Sequence, residues 1–420
     1  MLRSRIFLIS ILFTFALVLR LGVAIWLGLG DAPLSGSDAE EYDRYAWNLA
    51  QGRGYRGMSP DVSDQDHLTA YRTPGTSLLW GALYSIFGHR YEVVRVVNCF
   101  LGALSSVLLL QLGRLSFGER IGWGAAIVWA GFPTSLFFSA QLGSEPLMLV
   151  MLLGFLVASL HFAHSPTWLG AVFAGFLLGM TLLVHPSKAI MLPLVFVWVI
   201  WQFRKQATKL LLGFAIPVVA VAVLSPWVIR NYYVFGEFIP FSTMGGSALL
   251  QGNNRLVVTN PTLHGYVIWD TKIPEYAELL QKPNNEIERD KVARTLAFEW
   301  LKENRDKWPF LIVAKLQRGL TPFLQPGAPK LEAYGMLLSW GPVLVLSAVA
   351  FPVTLIAFLR KGDPSWLIHL AILHFLAVTV IFFGYARYRY SIEPLGVLLA
   401  FKTLGFMFSR FFVTQEKLSR

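Results

Sequence analysis

Cysteine is almost missing. Cys99 is the only one in 420 residues, so no intramolecular disulfide can form and cysteine usage says nothing about redox compartment. Charge is scarce too: Asp, Glu, Lys and Arg make up 15% of the chain, against about 25% in an ordinary soluble domain. No glycine-rich loop ending in Lys-Ser or Lys-Thr occurs, which argues against an ATP-driven pump and against a nucleotide cofactor. Internal repeats and low-complexity tracts are absent, and no polar stretch is large enough to fold as a soluble domain.

What the chain has instead is apolar length. Hydrophobic residues make up 55% of it, and the mean hydropathy is +0.53. Runs of roughly 18 or more largely apolar residues recur, each able to cross a hydrocarbon core about 30 Å thick. The predicted fold is an all-α polytopic membrane protein with about ten spans, near 6–29, 91–112, 121–140, 145–163, 167–184, 187–203, 210–229, 334–359, 365–385 and 391–411. The opening run has Arg3 and Arg5 before it like a signal peptide, but it is too long and lacks a small-x-small cleavage site, so it reads as a retained span. Three parts are expected: a membrane module over 1–229 with the catalytic outer loops, an extracytoplasmic loop over 230–333 with amphipathic helices, and membrane helices over 334–420.

Ten spans return both termini to one side. Arg3, Arg5, Arg114, Arg120, Arg204, Lys205, Lys209, Arg360, Lys361, Arg410, Lys417 and Arg420 then share that side, which short basic loops mark as cytoplasmic. This explains the net charge of +11 without nucleic acid. The expected location is the cell (inner) membrane, with the long segments 30–90 and 230–333 outside. Within them, 74–89 suits an interfacial or re-entrant helix. Segment 284–318 reads as one amphipathic helix with Val292, Leu296 and Trp300 on its apolar face, lying on the membrane domain.

The stretch GSDAEEYDRYAWNLAQGRGY, residues 36–55, follows the first span and is strongly acidic. Ser37 and Glu40 fit a capping box, and acids suit a helix start, so capping accounts for Ser37, Glu40 and Glu41. It does not account for the other polar groups that topology brings to the same face: Arg72, Glu145, His185, Arg230, Asn231, Arg387 and Arg389. Ionisable groups near membrane depth are costly and usually face a polar cavity. Arginines offer planar forks suited to phosphate, and a carboxylate can take a proton from a hydroxyl. Tyr42, Trp47, Tyr71 and Trp227 could line a sugar site. Together these point to transfer of a group from a lipid phosphate.

With YRTPGTSLLWGALYSIFG, LGSEPL, PWVIRNYYVFG followed by GNN, and RYRYSIEPL, the chain resembles the GT-C membrane glycosyltransferases that use polyprenyl-phosphate sugars, the group of protein O-mannosyltransferases and lipid A aminoarabinose transferases. The resemblance implies a polyprenyl-phosphate-linked sugar donor, a glycan, lipid or protein acceptor, and inversion at the anomeric carbon. It implies catalytic roles for Asp38 and Glu145, and donor-phosphate contacts for Arg72 and for Arg387 or Arg389. Arg230 joins the expected phosphate ligands, and Tyr42, Tyr71, His185 and Asn231 the substrate lining. Relatives carry Asp-Glu where this chain has Asp38-Ala39, and Arg where it has His185. Should the fold bring Glu145 to Asp38, their repulsion calls for a cation or proton between them. A divalent ion, Mg²⁺ or Mn²⁺, is the expected occupant, with His185 as a further ligand. Two other readings compete: a lipid-linked sugar flippase, which needs polar groups through the bundle or broken half-helices, and a non-catalytic scaffold of an envelope polysaccharide complex. The intramembrane Arg20 is the main feature favouring the flippase.

Overall fold

A computed structural model describes residues 2–57, 67–323 and 330–418. Helix α1 (Leu2–Trp26) leads to α2 (Asp38–Ala50), a short antiparallel ribbon of β1 (Arg56–Gly57) and β2 (His67–Leu68), and α3 (Gly75–Phe87). The bundle continues with α4 (Tyr91–Phe117), α5 (Glu119–Ala130), α6 (Pro133–Ala140), α7 (Glu145–His164), α8 (Trp168–Val184), α9 (Met191–Phe203) and α10 (Ala207–Phe235). A polar segment then holds α11 (Gly245–Gly252), α12 (Leu256–Thr259), α13 (Pro274–Gln281), α14 (Glu286–Glu303) and α15 (Trp308–Leu320). The chain closes with α16 (Lys330–Lys361), α17 (Leu367–Ile381), the single turn α18 (Ala386–Arg389) and α19 (Glu393–Leu418).

The protein is thus an all-α polytopic membrane protein. Among the described residues seven helices are long and apolar enough to cross a membrane, and α5 with α6 makes an eighth. The expected span at 167–184 is α8, an apolar helix of 17 residues. The expected span at 391–411 falls on α19, which is not among those helices; the side chains of Arg3, Arg410 and Lys417, and all of Arg420, lie outside the described residues. Two predicted elements need correction. The span at 121–140 is broken, with α6 bent 53° from α5. The amphipathic helix at 284–318 is two helices, because the chain turns at Asn304–Lys307. Nor does α14 meet the rest through Val292 and Leu296 first: Ala293, Ala297 and Trp300 are its buried apolar positions, and α11 packs against it.

Close packing holds the bundle. Helix α8 lies on α10 and α7, and at Gly175 and Gly179 the backbones approach so nearly that a Cβ would meet the Ile216 carbonyl oxygen at 2.5 Å and that of Ala220 at 2.9 Å. Small residues four apart permit this contact where lipid offers no hydrophobic drive between helices. The main core gathers Trp129, Leu149, Phe155, Leu178, Trp198, Ile216, Leu367 and Leu398 from α5, α7, α8, α9, α10, α17 and α19. Within the bundle Arg20 is fully buried. It donates to the Trp129 and Ala130 carbonyls at 3.5 and 3.0 Å and to Ser135 Oγ at 2.5 Å. The Ala130 carbonyl lies at the last residue of α5, where the helix ladder ends, so Arg20 caps the break.

Helix α2 is fixed by its sequence. Ser37 Oγ accepts from the Glu40 N–H at 3.4 Å, as a cap should. The Glu40 carboxylate returns to the Gly36 N–H at 2.6 Å. Gly52, at φ +71°, carries the chain into the left-handed turn beyond the helix. Tyr42 and Ala46 pack on Trp80 and Tyr84 of α3, seating both helices against the bundle.

Candidate active site

At the start of α2, Asp38 meets two arginines. Its Oδ1 accepts from Arg72 Nη2 at 2.7 Å and its Oδ2 from Arg387 Nη1 at 2.8 Å. Arg72 Nε donates to Glu41 Oε2 at 2.6 Å, and Arg387 Nε donates to Glu145 Oε1. The chain runs Glu41–Arg72–Asp38–Arg387–Glu145. Its members come from α2, the loop before α3, the first turn of α7, and α18. Glu145 reaches it because Pro146, pre-set for the first turn of a helix, begins α7 directly after the short turn at 141–144. Arg72 also lies against the rings of Tyr71 and Tyr42, at 5.5 and 5.7 Å.

Three carboxylates share two guanidinium groups. Burial works to raise the Asp38 carboxyl, but the charges of Arg72 and Arg387 outweigh it and hold it down to about 2. Glu41 goes the other way, raised because its burial is stronger than the help from Arg72. Burial disfavours the charged forms of Arg72 and Arg387, yet their carboxylates keep both firmly protonated. His185 is pushed well below its ordinary value by burial and by the nearby Lys188, Arg387 and Arg72, so it is neutral. Its Nδ1 lies 2.8 Å from Ser187 Oγ, and its ring meets the Tyr388 ring edge-on.

The network forms one pole of a cavity of about 560 Å³, a size suited to a small-molecule site. Asp38, Tyr42, Tyr71, Arg72, His185 and Arg387 line that pole; Glu145 sits behind Arg387. Ile239, Phe241, Ile381 and Phe382 supply apolar walls, and Asp290, Lys291 and Arg294 of α14 stand along the cavity with Glu237. The expected metal pair does converge, but the Arg387 guanidinium occupies the place between Asp38 and Glu145. Among the described residues no group of three or more His, Cys, Asp or Glu could hold a metal ion. With both Asp38 oxygens bonded to arginine, the donor set does not fit a divalent ion in this arrangement.

Five expected site residues stand elsewhere. Arg230 donates to the backbone carbonyls of Thr69 and Tyr55 at 2.7 and 3.0 Å, and its neighbour Asn231 donates to the Ile239 carbonyl at 2.9 Å. Both are struts between α10 and the loops. Arg389 is fully buried, paired with Glu393 at 2.8 Å and donating to the Thr321 carbonyl at 2.6 Å. Trp47 stacks on His89, and Trp227 donates from its indole to the Phe241 carbonyl. The GNN motif is also structural: Asn253 Oδ1 accepts from the buried Lys315 Nζ at 2.7 Å, and Asn254 Oδ1 caps α12. Arg20, closing a helix break, lines no part of the cavity.

Sequence reasoning missed Glu41 as a partner of Arg72, treating it as part of the cap. The signal was there: Asp38 and Glu41 are three apart, stacked on one helix face and able to share a partner.

Comparison with known proteins agrees with this architecture. Residues 71–229 match the family described as dolichyl-phosphate-mannose-protein mannosyltransferase. The archaeal oligosaccharyltransferase AglB from Archaeoglobus fulgidus, in complex with an inhibitory peptide and a dolichol-phosphate, superposes with a TM-score of 0.58 at 13% identity, over 98% of this chain and 52% of its own. The chain has the GT-C membrane fold. The same archaeal enzyme with zinc and sulfate gives a TM-score of 0.60 at 14% identity, over 95% and 49%. ArnT from Cupriavidus metallidurans bound to undecaprenyl phosphate gives 0.46 at 15% identity, over 94% and 77%, too slight a likeness to argue from. No curated protein matches by sequence. The chain spans about half the length of the archaeal enzyme. The resemblance read from the motifs is borne out by the family match and the fold. The matched stretch contains Arg72 and Glu145, while Asp38 and Arg387 lie outside it.

Proposed function

We propose that the protein is a glycosyltransferase that moves a sugar from a polyprenyl phosphate to an acceptor hydroxyl on the extracytoplasmic face of the cell membrane, with both termini cytoplasmic. One observation carries the reading: Asp38 lies between Arg72 and Arg387 at the head of a cavity with apolar walls. A lipid phosphate offers those arginines the anion that Asp38 and its neighbours offer them now, and bidentate guanidinium–phosphate pairing is strong. In the reaction the acceptor oxygen bonds to the anomeric carbon as the bond from that carbon to the phosphate oxygen breaks. The hydroxyl proton goes to Asp38, and the charge of the departing lipid phosphate is held by Arg72 and Arg387.

Asp38 held at about 2 by two arginines is a weak base. Donor phosphate competing for the same guanidinium groups frees its oxygens and raises its basicity, so the acceptor is activated only when donor is present. Glu145 holds Arg387, and Tyr42, Tyr71 and His185 shape the pocket. A divalent cation would have to displace Arg387, so no step runs through one. The flippase reading loses support because Arg20 is spent capping α5.

The test uses homogeneous protein in proteoliposomes with a labelled polyprenyl-phosphate sugar and a panel of hydroxyl acceptors. Label on the acceptor supports the reading. Label carried across the bilayer without transfer, or neither outcome, overturns it.

A further inference from the structure

Arg72 is held in place from a distant part of the chain. Strand β2 ends at Leu68, and one further bond, from the Thr69 N–H to the Tyr55 carbonyl at 3.3 Å, closes the ribbon. Other elements hold the chain beyond it. Glu286, first residue of α14 and buried, accepts through Oε2 from Thr69 Oγ1 at 2.6 Å and through Oε1 from the Ala70 N–H at 2.7 Å. Thr69 Oγ1 accepts in turn from the Tyr71 N–H at 2.9 Å. The Thr243 N–H donates to the Ala70 carbonyl at 3.0 Å, and the Tyr55 hydroxyl to the Arg72 carbonyl at 3.1 Å. Glu286 is the one carboxylate in this scaffold, and hydrogen bonds to an ionised acceptor are roughly twice as strong as neutral ones. It sits at the positive end of α14, which Asn285 caps by accepting from the Ile287 and Glu288 N–H groups. One turn further, Asp290, which lines the cavity, accepts from the Gly246 N–H.

We propose that Glu286 is a positioning residue: by fixing Thr69 and Ala70 it sets the approach of Arg72 to the reacting phosphate. The claim about Arg72 rests on the function proposed above; the claim that Glu286 orders residues 69–71 does not. Helix α14, whose Asp290, Lys291 and Arg294 line the cavity, then reaches the donor ligand through a contact 217 residues apart in sequence.

The experiment measures undecaprenyl phosphate binding by the full chain in nanodiscs. Glu286→Gln keeps the shape but removes the charge, and leaves one acceptor for the two donors that Thr69 and Ala70 present. It is expected to weaken binding about tenfold, the loss of one charge-assisted hydrogen bond. In an Arg72→Ala background it should cost nothing further, because both changes act through the same group. No loss in the wild-type background, or equal losses in both, overturns the proposal. If Arg72→Ala itself binds like wild type, the phosphate reading fails and hydrogen exchange decides this one. Faster exchange of the Ala70 and Tyr71 amides in Glu286→Gln supports positioning, and unchanged exchange overturns it. If Glu286→Gln does not fold, Thr69→Val takes its place. It should weaken binding in the same direction and add nothing to Arg72→Ala, whereas wild-type binding by Thr69→Val overturns the proposal.

Discussion

Arg387 and Arg389 stand two residues apart on one helical turn and share nothing else. The Arg387 side chain is 28% exposed, faces the cavity and divides its donors between Asp38 and Glu145. Arg389 is 0% exposed, locked onto Glu393, which also accepts from Thr134 Oγ1, and stacked over Trp340 at 4.8 Å. Two residues on a helix differ by about 200° in direction, so only one of the pair can point into a given site. An arginine that can exchange its carboxylates for a ligand is available for chemistry. An arginine whose donors are all enclosed holds helices together, here α15, α16 and α19 around α18.

The comparison can be broken in several ways. The largest expected effect is on the exchangeable network: Asp38→Asn should lower transfer by about 10²–10⁴-fold, the range for loss of a general base, while the protein still folds and loses only about 2 kcal/mol of stability. Near wild-type turnover would reduce Asp38 to a helix-start residue. Next, Arg389→Met leaves Glu393 charged and buried without its partner, at a cost of about 3–5 kcal/mol of stability. Arg387→Met should instead weaken lipid-phosphate binding by about 10–100-fold, the worth of a hydrogen bond to a charged group, with much less loss of stability. Melting and binding measured on both variants test the contrast, and equal profiles would end it.

A smaller effect separates the two by pH. The Asp38 carboxyl, ordinarily near 3.8, is held to about 2 in the fold. The folded state therefore binds its proton less readily than the unfolded chain, so the stabilisation is fully present above about pH 3.8. It is lost as pH falls through about 2, and amounts to about 2 kcal/mol. The melting gap between wild type and Asp38→Asn should narrow as pH drops below about 4; a constant gap would mean that the arginines do not act on this carboxylate. Smallest of all, exhaustive chelation should leave transfer within about twofold, because Arg387 already bridges Asp38 and Glu145. Loss of activity restored by Mg²⁺ or Mn²⁺ would show that the bridge opens to a metal.

Much of this was legible in the sequence. Apolar length and basic loops found the helical membrane bundle, and alternation of sides brought Asp38, Arg72, Glu145, His185 and Arg387 to one face before any coordinates. Topology, however, assigns a face and not a direction. Arg230, Asn231 and Arg389 share that face yet turn to backbone carbonyls or a buried acid. The break between α5 and α6 was hidden because Gly131 and Phe132 barely interrupt the apolar run. Glu286 carried no local sign at all: it looks like an ordinary acid at a helix start, and its partners are far away in the chain.

Arg20 has a consequence for how the protein is made. Its acceptors Ala130 and Ser135 lie 110 and 115 residues later, so α1 enters the bilayer long before they are synthesised. Until then Arg20 has only the Ala16 carbonyl of its own helix, and a guanidinium within a span costs up to about 2.5–3.5 kcal/mol on insertion scales, which the surrounding Leu, Ile, Val and Phe of α1 must offset. The first helix is therefore inserted in a provisional state. Arrival of α5 and α6 completes it, making the join between the earliest and the later spans a checkpoint in assembly.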